Sequence, residues 1–453
     1  MWRVESGTVN QKPDIDCDVF VIGAGLTGMC ASLFAANRKL KVCQIGSSSP
    51  LIFHSGLFDL VGIYPVEERR KWTNPWEAIA HIRLKAPNHP YAKLCEESIR
   101  QSFGEISSFL NEQGLSYQSR AMGNIEMITA IGTVKTSYLA PLTMWKGIRA
   151  LEEKSRVLII GIDGLREFSS VQIQETLKMK WPELRNITID LPICNSREKT
   201  PEHLARALEV ASNRALLAER IKPYIKNKAA VGLPPILGLR NSTSVLADME
   251  ERAGCHIFEI PGLTPSVPGI RLKEIFESGL EKKGVYSFLN HDLKSISKDS
   301  NGHYDIRIKS LTGIKRITAR GVILASGRFQ GKGLWADRKK ISETIFNIPV
   351  DQPKRRDQWF RKHFLDSAGH PINRAGLLTD SYQRPIDRGG SVFSDNLFAA
   401  GSILAHHDWA REKCGSGIAI STSFHAISSF LKLEVSKRCE HMPMNTHEIS
   451  EAV

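Results

Sequence analysis

The chain has 453 residues, of which 42% are hydrophobic and 24% charged, a composition typical of a globular protein with two or three domains. No run of 18 or more apolar residues occurs, so we expect no membrane-spanning helix. The formal net charge of +13 fits an anionic substrate or an anionic membrane surface. No basic block is interleaved with aromatic residues, so nucleic acid is not an expected partner.

The eight cysteines form no C-x-x-C pair and no cluster with the spacing of iron–sulfur or zinc ligands. We therefore expect no metal site, and reduced cysteines in a cytoplasmic protein. Residues 1–15 contain no apolar signal segment and are predicted to form a flexible polar arm.

The first predicted unit is a β-α-β motif that binds a nucleotide. Val19 to Ile22 predicts a buried strand, and Gly23-Ala24-Gly25-Leu26-Thr27-Gly28 follows it as a G-x-G-x-x-G turn. Its three glycines permit the sharp bend, a close approach of backbone to phosphate, and tight packing of the next helix. A helix over 26–37 and a strand over 41–45 complete the unit. We expect a bound flavin or dinucleotide; the alternative is a turn whose glycines serve only packing.

The second strand of this unit has no acidic residue at its end. Asp or Glu there usually binds a ribose hydroxyl of the adenosine, but this strand runs Val42-Cys43-Gln44-Ile45-Gly46-Ser47-Ser48-Ser49. Either Ser or Gln holds the adenosine of FAD, or the ligand has no adenosine and is FMN. The absence also argues against a plain NAD-binding protein.

The middle of the chain changes character near Tyr117. A β-hairpin is predicted over 127–136, a buried strand ending in glycine over 156–164, and helices over 200–226. The Pro/Gly-rich loop over 261–269 opens a helix whose first turn contains Arg271, which could hold a phosphate; the alternative is a rigid connector. Polar and apolar side chains alternate over residues 286–320, which is the pattern of a β-meander. These patterns predict an inserted α+β substrate or cap domain over 117–320.

Two further buried strands end in glycine, at 321–327 and 396–401. Gly415-Ser416-Gly417 then opens an apolar helix predicted over 418–431. Amides at such a helix start can face the pyrimidine edge of a flavin, which gains negative charge on reduction, or the start merely packs. We therefore predict an α/β fold, with a Rossmann-like flavin-binding domain discontinuous in sequence (16–116 and 321–433) and a polar tail over 434–453.

Motifs over nearly the whole chain resemble the B subunit family of anaerobic glycerol-3-phosphate dehydrogenase. They are VIGAGLTGMCASL at 21–33, SGLFDLVG at 55–62, KAPNHPY at 85–91, GTVKTSYLAP at 132–141, VGLPP at 231–235, GLTPSVPGIRL at 262–272, VILASGRFQGKGL at 322–334 and NLFAAGSILAHHDWAREKCGSGIAIS at 396–421.

This resemblance implies oxidation of sn-glycerol 3-phosphate to dihydroxyacetone phosphate, with electrons passed to the quinone pool in anaerobic respiration. It implies FMN in this chain, with FAD as the alternative. It also implies two partners, an FAD-containing A subunit and an iron–sulfur, membrane-attached C subunit, through which the chain would associate peripherally with the inner membrane.

The resemblance also predicts site residues. The flavin is expected to contact Gly23, Gly25, Gly28, Ser55, Gly56, Ala325, Gly327, Gly401, Gly415, Ser416 and Gly417. Removal of the substrate's hydroxyl proton needs a base near the flavin, and the candidates are the loop residues His54, His406 and His407. Besides Arg271, the residues Arg328 and Lys332 are candidates for the substrate phosphate. The chain departs from the family pattern at His54 and at His406-His407-Asp408.

Two other functions stay open from the sequence. The chain could be a non-catalytic assembly subunit that docks the true dehydrogenase, which the lack of an evident base favours. It could also be another FAD-dependent oxidoreductase, of the fumarate-reductase or ketosteroid-dehydrogenase type. The missing acid after the second strand and the basic loops count against that last reading.

Overall fold

The computed structural model describes residues 14–48, 50–121, 123–193, 198–225, 230–310 and 313–440. Most of the predicted arm, Cys194, Ser49 and the tail beyond Glu440 lie outside these residues. The six cysteines whose side chains are described are free thiols. Within the described ranges, no helix is long and apolar enough to cross a membrane, and no cluster of His, Cys, Asp and Glu has the arrangement of a metal site.

The chain begins with the predicted β-α-β unit and two further helices. In order these are β1 (Ile15–Ile22), α1 (Leu26–Asn37), β2 (Val42–Gly46), α2 (Pro75–Lys85) and α3 (Glu96–Glu112). The bounds of α1 are those predicted. A short 3₁₀ turn at Pro90–Lys93 precedes α3, whose first turn is capped by the Cys95 thiol.

The described residues in the middle of the chain form eight strands and five helices. They are β3 (Tyr117–Ser119), β4 (Ile125–Ile128), β5 (Val134–Ser137), β6 (Leu139–Pro141), α4 (Leu142–Glu153), β7 (Val157–Ile162), α5 (Ser170–Leu177), β8 (Leu184–Ile189), α6 (Pro201–Ala207), α7 (Ala211–Ile221), β9 (Ala230–Leu233), α8 (Ser242–Ala253) and β10 (Ile257–Glu259). The predicted hairpin is the antiparallel pair β4–β5.

The last part of the chain returns to the first sheet. It contains α9 (Val267–Lys282), β11 (Tyr286–Leu289), β12 (Asp292–Lys298), β13 (Tyr304–Ser310), β14 (Gly313–Leu324), β15 (Leu334–Ala336), β16 (Ile341–Glu343), β17 (Val350–Asp351), β18 (Gly376–Leu377), β19 (Leu397–Ala399), α10 (Trp409–Glu412) and α11 (Gly415–Glu440). Helix α11 runs past the predicted start of the tail at 434.

The first sheet has the strand order β11-β2-β1-β14-β13-β12, with β19 also pairing with β14. Strands β11, β2, β1, β14 and β19 are mutually parallel, whereas β12, β13 and β14 form an antiparallel ribbon. Strand β1 is buried on both faces because its last four residues are all apolar. One face packs on α1, α3, α9 and α11, and the other on β13 and β15 to β18. The predicted Rossmann-like α/β class is confirmed.

The arrangement of the second sheet differs from the α+β class predicted for the inserted domain. It has the order β10-β9-β7-β8, and its strands are all parallel, with helices in the connections. This is an α/β arrangement with its own apolar core. Strand β9 ends at Leu233, because Pro234 and Pro235 follow and lack the amide hydrogens that a ladder needs.

The predicted boundary between 320 and 321 falls inside β14, which is continuous from Gly313 to Leu324. The strands predicted as a meander of the insert therefore belong to the first sheet. Strand β14 begins as an exposed ribbon strand and ends as a buried central strand, so its sequence changes character without a break. The division into a discontinuous flavin-binding domain and an insert over 117–320 stays a prediction, although β11 to β14 pair in the first sheet.

Candidate functional site

The carboxyl ends of β1, β14 and β19 meet at one edge of the first sheet. Gly23 follows β1 with a φ of +128°, and a Cβ there would lie 2.1 Å from the carbonyl oxygen of Ala325. Gly401 follows β19 with a φ of +78°, and a Cβ there would lie 2.0 Å from Oγ1 of Thr27. The three predicted glycine-ended turns are thus brought together.

The turn after β1 leaves room for a phosphate. A Cβ on Gly28 would lie 1.9 Å from the carbonyl oxygen of Gly23, so α1 packs directly on the turn. A Cβ on Gly25 would have Pro50 as its nearest contact, at 3.9 Å. Gly25 also begins α1 without a side-chain cap. The first amides of α1 are therefore open to an anion, as a flavin phosphate requires.

The end of β2 has no space for the missing acid. A Cβ on Gly46 would lie 2.5 Å from the amide nitrogen of Ala24. Gln44 is buried and donates to the Gly23 carbonyl at 2.9 Å, which commits it to the turn. Ser48 donates its amide to Asn290 and accepts from the Asn290 side chain, at 3.1 and 3.0 Å. The position that usually binds an adenosine ribose is closed by backbone.

The loop with Ser55 and Gly56 lies against the start of α11. His54 Nδ1 accepts the Gly56 amide at 3.1 Å, so its proton lies on Nε2, which donates to Ser416 Oγ at 3.1 Å. Burial, with the nearby Lys135 charge, lowers the pKa of His54 to about 3. His54 is neutral and its ring nitrogens are engaged, so it links the Ser55 loop to the start of α11 rather than acting as a base.

A lysine from the β4–β5 hairpin contacts this loop. Lys135 in β5 donates to Ser55 Oγ at 2.9 Å and lies 3.4 Å from Asp59 Oδ1. Ser137 also donates to Asp59, at 2.7 Å. Lys135 was not predicted as a site residue, although it lies within the GTVKTSYLAP motif.

The structure contradicts a phosphate-binding role for Arg271. Its side chain is 1% exposed and forms a bidentate ion pair with Glu259, at 2.6 and 2.8 Å. Its Nε donates to the Gly238 carbonyl at 2.8 Å. The prediction rested on the helix start alone and could not foresee that β10 places a buried carboxylate opposite it.

Arg328 is likewise buried. Its guanidinium donates to the backbone carbonyls of Asn373, of Leu404 at 2.7 Å and of His407 at 3.0 Å. Burial lowers the pKa of Arg328 to about 10, still above neutral pH. Arg328 therefore holds the loop after β19 rather than a substrate. Lys332, the third candidate, lies exposed in the turn before β15.

His407 lies in a buried polar cluster with Arg328, His89 and Glu412. Burial and the Arg328 charge hold the pKa of His407 well below its usual range. His89 donates from Nε2 to Glu412 at 3.1 Å, since its Nδ1 accepts the Tyr91 amide. Burial raises the pKa of Glu412, but the hydrogen bond from His89, the electrostatic influence of His89 and His407, and the hydrogen bond from the Asp408 amide outweigh it and lower that pKa to about 2. This cluster, which joins two motifs distant in sequence, was not predicted.

His406, one of the three candidate histidines, lines a cavity. The cavity has a volume of about 260 Å³, and its lining includes Asp351, Arg361, Arg374 and His406. His406 Nε2 lies 3.3 Å from Asp351 Oδ2. Burial lowers the pKa of His406, Asp351 opposes this, and Lys93, His89 and Arg374 add to it. A neutral histidine, a carboxylate and two arginines therefore line the same cavity.

The close contact at Gly401 gives a first prediction. Gly401→Ala should cost about 1–3 kcal/mol of unfolding free energy and weaken flavin retention, because the methyl group meets Thr27 in a left-handed backbone conformation. Gly390→Ala is the matched control, since Gly390 has a φ of +86° but no atom within 4 Å of the place that its Cβ would take. Urea unfolding and flavin absorbance measure both variants. Equal losses would mean that the Thr27 contact is not tight.

The sequence matches the family described as FAD binding domain over residues 18–418. It is 30% identical over 440 residues to the B subunit of anaerobic glycerol-3-phosphate dehydrogenase from Vibrio vulnificus (strain YJ016), which covers 94% of this chain and 99% of that protein. It is 26% identical over 432 residues to the protein of that name from Pectobacterium carotovorum subsp. carotovorum (strain PC1), covering 92% and 98% of the two chains.

Solved structures show more distant likenesses. A 3-ketosteroid delta1-dehydrogenase from Sterolibacterium denitrificans is 12% identical with a TM-score of 0.42, covering 92% of this chain and 99% of that one. A flavocytochrome c3 fumarate reductase is 9% identical with a TM-score of 0.40, covering 93% and 79%. At these TM-scores the likenesses carry no argument about activity.

Proposed function

We propose that this chain, which belongs to the B subunit family of anaerobic glycerol-3-phosphate dehydrogenase, oxidises sn-glycerol 3-phosphate to dihydroxyacetone phosphate and passes the electrons towards quinone. The chain also belongs to the FAD binding domain family. The chain is an oxidoreductase subunit with a flavin cofactor. The observation that carries the proposed reaction is the cavity in which His406 and Asp351 face Arg361 and Arg374.

The residues of this cavity have separate roles in the proposed reaction. Nε2 of His406 lies 3.3 Å from Asp351 Oδ2, and with its proton on that nitrogen His406 would use Nδ1 to take the proton of the substrate's secondary hydroxyl. Asp351 orients the ring and stabilises the imidazolium that results. Arg361 and Arg374 use one nitrogen each on the Gly369 carbonyl and on Glu67, and their other nitrogens are available to the phosphate. A bound flavin would accept the hydride that leaves the substrate carbon bearing this hydroxyl group.

We propose FMN as the flavin of this chain. The phosphate would lie at Gly25 and the first amides of α1, and the ring near Gly56, Ser416 and Gly417. Support for FMN comes from the end of β2, where Gly46 is closed by Ala24 and Gln44 is committed to the turn. These features leave an adenosine without its usual carboxylate. The name of the family model, which mentions FAD, supports the alternative.

We also propose partners. The names of the relatives describe a subunit, which indicates a complex of several chains. The proposed partners are an FAD-containing A subunit and an iron–sulfur, membrane-attached C subunit. Attachment of this chain to the inner membrane would follow from that assembly.

Release of the cofactor by acid, followed by chromatography and absorbance spectroscopy, tests the cofactor proposal on the purified full-length chain. FMN at close to one per chain is the expected result. FAD would overturn the FMN assignment while leaving the reaction in place. A correctly folded protein that takes up neither flavin would contradict the enzymatic proposal and favour the non-catalytic assembly subunit.

A further inference from the structure

A short surface loop at residues 360–365 exposes adjacent large apolar side chains. Phe364 and Leu365 are 87% and 84% exposed, and Phe360 is 56% exposed. We call this loop the apolar tip. Apolar side chains that stand together in water at a loop end mark a surface that another phase or molecule covers.

The apolar tip is held in shape by the residues around it. Trp359, directly before it, is buried in the core beneath the first sheet, and its carbonyl accepts the Ile372 amide at 3.1 Å. His370 accepts the Arg361 amide at 3.0 Å and donates to the Phe364 carbonyl at 2.9 Å. The Phe360 ring lies 5.6 Å from the His370 ring, centroid to centroid. The protein therefore presents Phe364 and Leu365 outward on a built loop.

The charges around the tip are mostly positive. Besides Arg361, which lines the cavity described above, the exposed residues on either side of Trp359 include Lys354, Arg355, Arg356 and Lys362. The acidic residues of this stretch are Asp357, which pairs with Arg355, and Asp366, which follows the tip and lies 4.0 Å from Arg361. Basic side chains of one sign beside a protruding apolar pair match the headgroup region of an anionic bilayer, where the charges meet lipid phosphates and the apolar groups enter the acyl boundary.

We propose that the apolar tip inserts into the surface of an anionic phospholipid bilayer, so that this chain contacts the membrane directly. The proposal does not depend on the substrate or the flavin assigned above. A protein partner would also cover apolar side chains, but the cations Lys354, Arg355, Arg356 and Lys362 beside them would then need a matching acidic surface. A membrane supplies negative charge over the whole face without such matching.

Sedimentation of the purified full-length chain with vesicles tests the proposal. We expect binding to vesicles of phosphatidylglycerol and phosphatidylcholine, little binding to phosphatidylcholine alone, and weakening as salt rises. The double variant Phe364→Ser/Leu365→Ser should bind the anionic vesicles at least about tenfold more weakly, because less apolar area is buried. Met179→Ser is the matched control, since Met179 is 88% exposed but lies in the turn after α5.

Two results would overturn the proposal. The first is unchanged vesicle binding by the double variant, which would show that charge alone, from other surfaces, attracts the lipid. The second is no vesicle binding by the unmodified chain together with loss of copurifying subunits in the double variant, which would assign the tip to a protein interface. Both altered side chains are in solvent, so the far-UV circular dichroism and melting temperature should match those of the unmodified chain.

Discussion

Replacing His406 by glutamine is expected to slow the reduction of this chain's bound flavin by sn-glycerol 3-phosphate about 10²–10⁴-fold, the usual contribution of a positioned general base. Glutamine keeps the size and a donor towards Asp351 but cannot take the hydroxyl proton. The measurement is the anaerobic loss of flavin absorbance after rapid mixing with substrate. Because it follows the flavin of the isolated chain, activity on a partner protein cannot hide the effect.

His256→Gln is the control for that variant. His256 also lies beside a carboxylate, with its Nδ1 3.8 Å from Glu250 Oε1, but it is exposed just before β10 and away from the cavity. Its flavin reduction should be unchanged. If His406→Gln reduces its flavin at the normal rate, His406 is not the base. If sn-glycerol 3-phosphate does not reduce the flavin of the unmodified chain, substrate is oxidised elsewhere in the complex.

The pH dependence of the same rate has a definite sign. Burial and the nearby Lys93 and Arg374 charges lower the pKa of His406 below its usual 6.5, and Asp351 opposes this. The neutral base is lost as pH falls through that pKa, so the acid limb should lie below pH 6.5. Asp351→Asn removes the raising influence and should move the limb to still lower pH. A shift to higher pH would contradict the proposed pair.

Replacing Arg271 by methionine is expected to lower the free energy of unfolding by about 3–5 kcal/mol. The change leaves the Glu259 carboxylate, which is fully buried in the second sheet, without its ion-pair partner. Two donors of the guanidinium face that carboxylate and a third serves the Gly238 carbonyl, so no surface group can replace them. Urea unfolding followed by circular dichroism measures the loss.

Arg252→Met is the control, because Arg252 pairs with Asp248 one helical turn away on the surface of α8 and should contribute little. The double variant Glu259→Leu/Arg271→Met should recover part of the lost stability, since it removes the unpaired charge. A small loss in Arg271→Met would mean that Arg271 is not committed to Glu259, and would reopen its role as a phosphate ligand.

The sequence predicted those features that local patterns determine. The apolar run of β1, the glycine turn and α1 follow from residues adjacent in the chain, and the buried strands at β14 and β19 follow from the same kind of run. Parallel strands open at one edge, so the meeting of Gly23 with Ala325 and of Thr27 with Gly401 was accessible from the sequence.

Other features depend on which distant segments pair, and no local pattern contains that information. The alternation of β11 resembles a meander strand, but β11 pairs with β2, whose edge it completes. Arg271 resembles an anion ligand until β10 is placed beside it. His406 could be separated from His54 and His407 only when the burial and hydrogen bonds of all three were known, because the three residues look equivalent in sequence.

The strand order of the first sheet has a consequence for synthesis of the chain. Strand β2 is complete at Gly46, but its outer neighbour β11 begins at Tyr286. At a synthesis rate of about 5–20 residues per second, the outer edge of β2 stays unpaired for roughly 10–50 s. The second sheet, in contrast, has all four strands by Glu259. The part of the chain between β2 and β11, which contains the second sheet, is thus the first able to fold. Until β11 is made, the unpaired edge of β2 is the surface that a chaperone would need to shield.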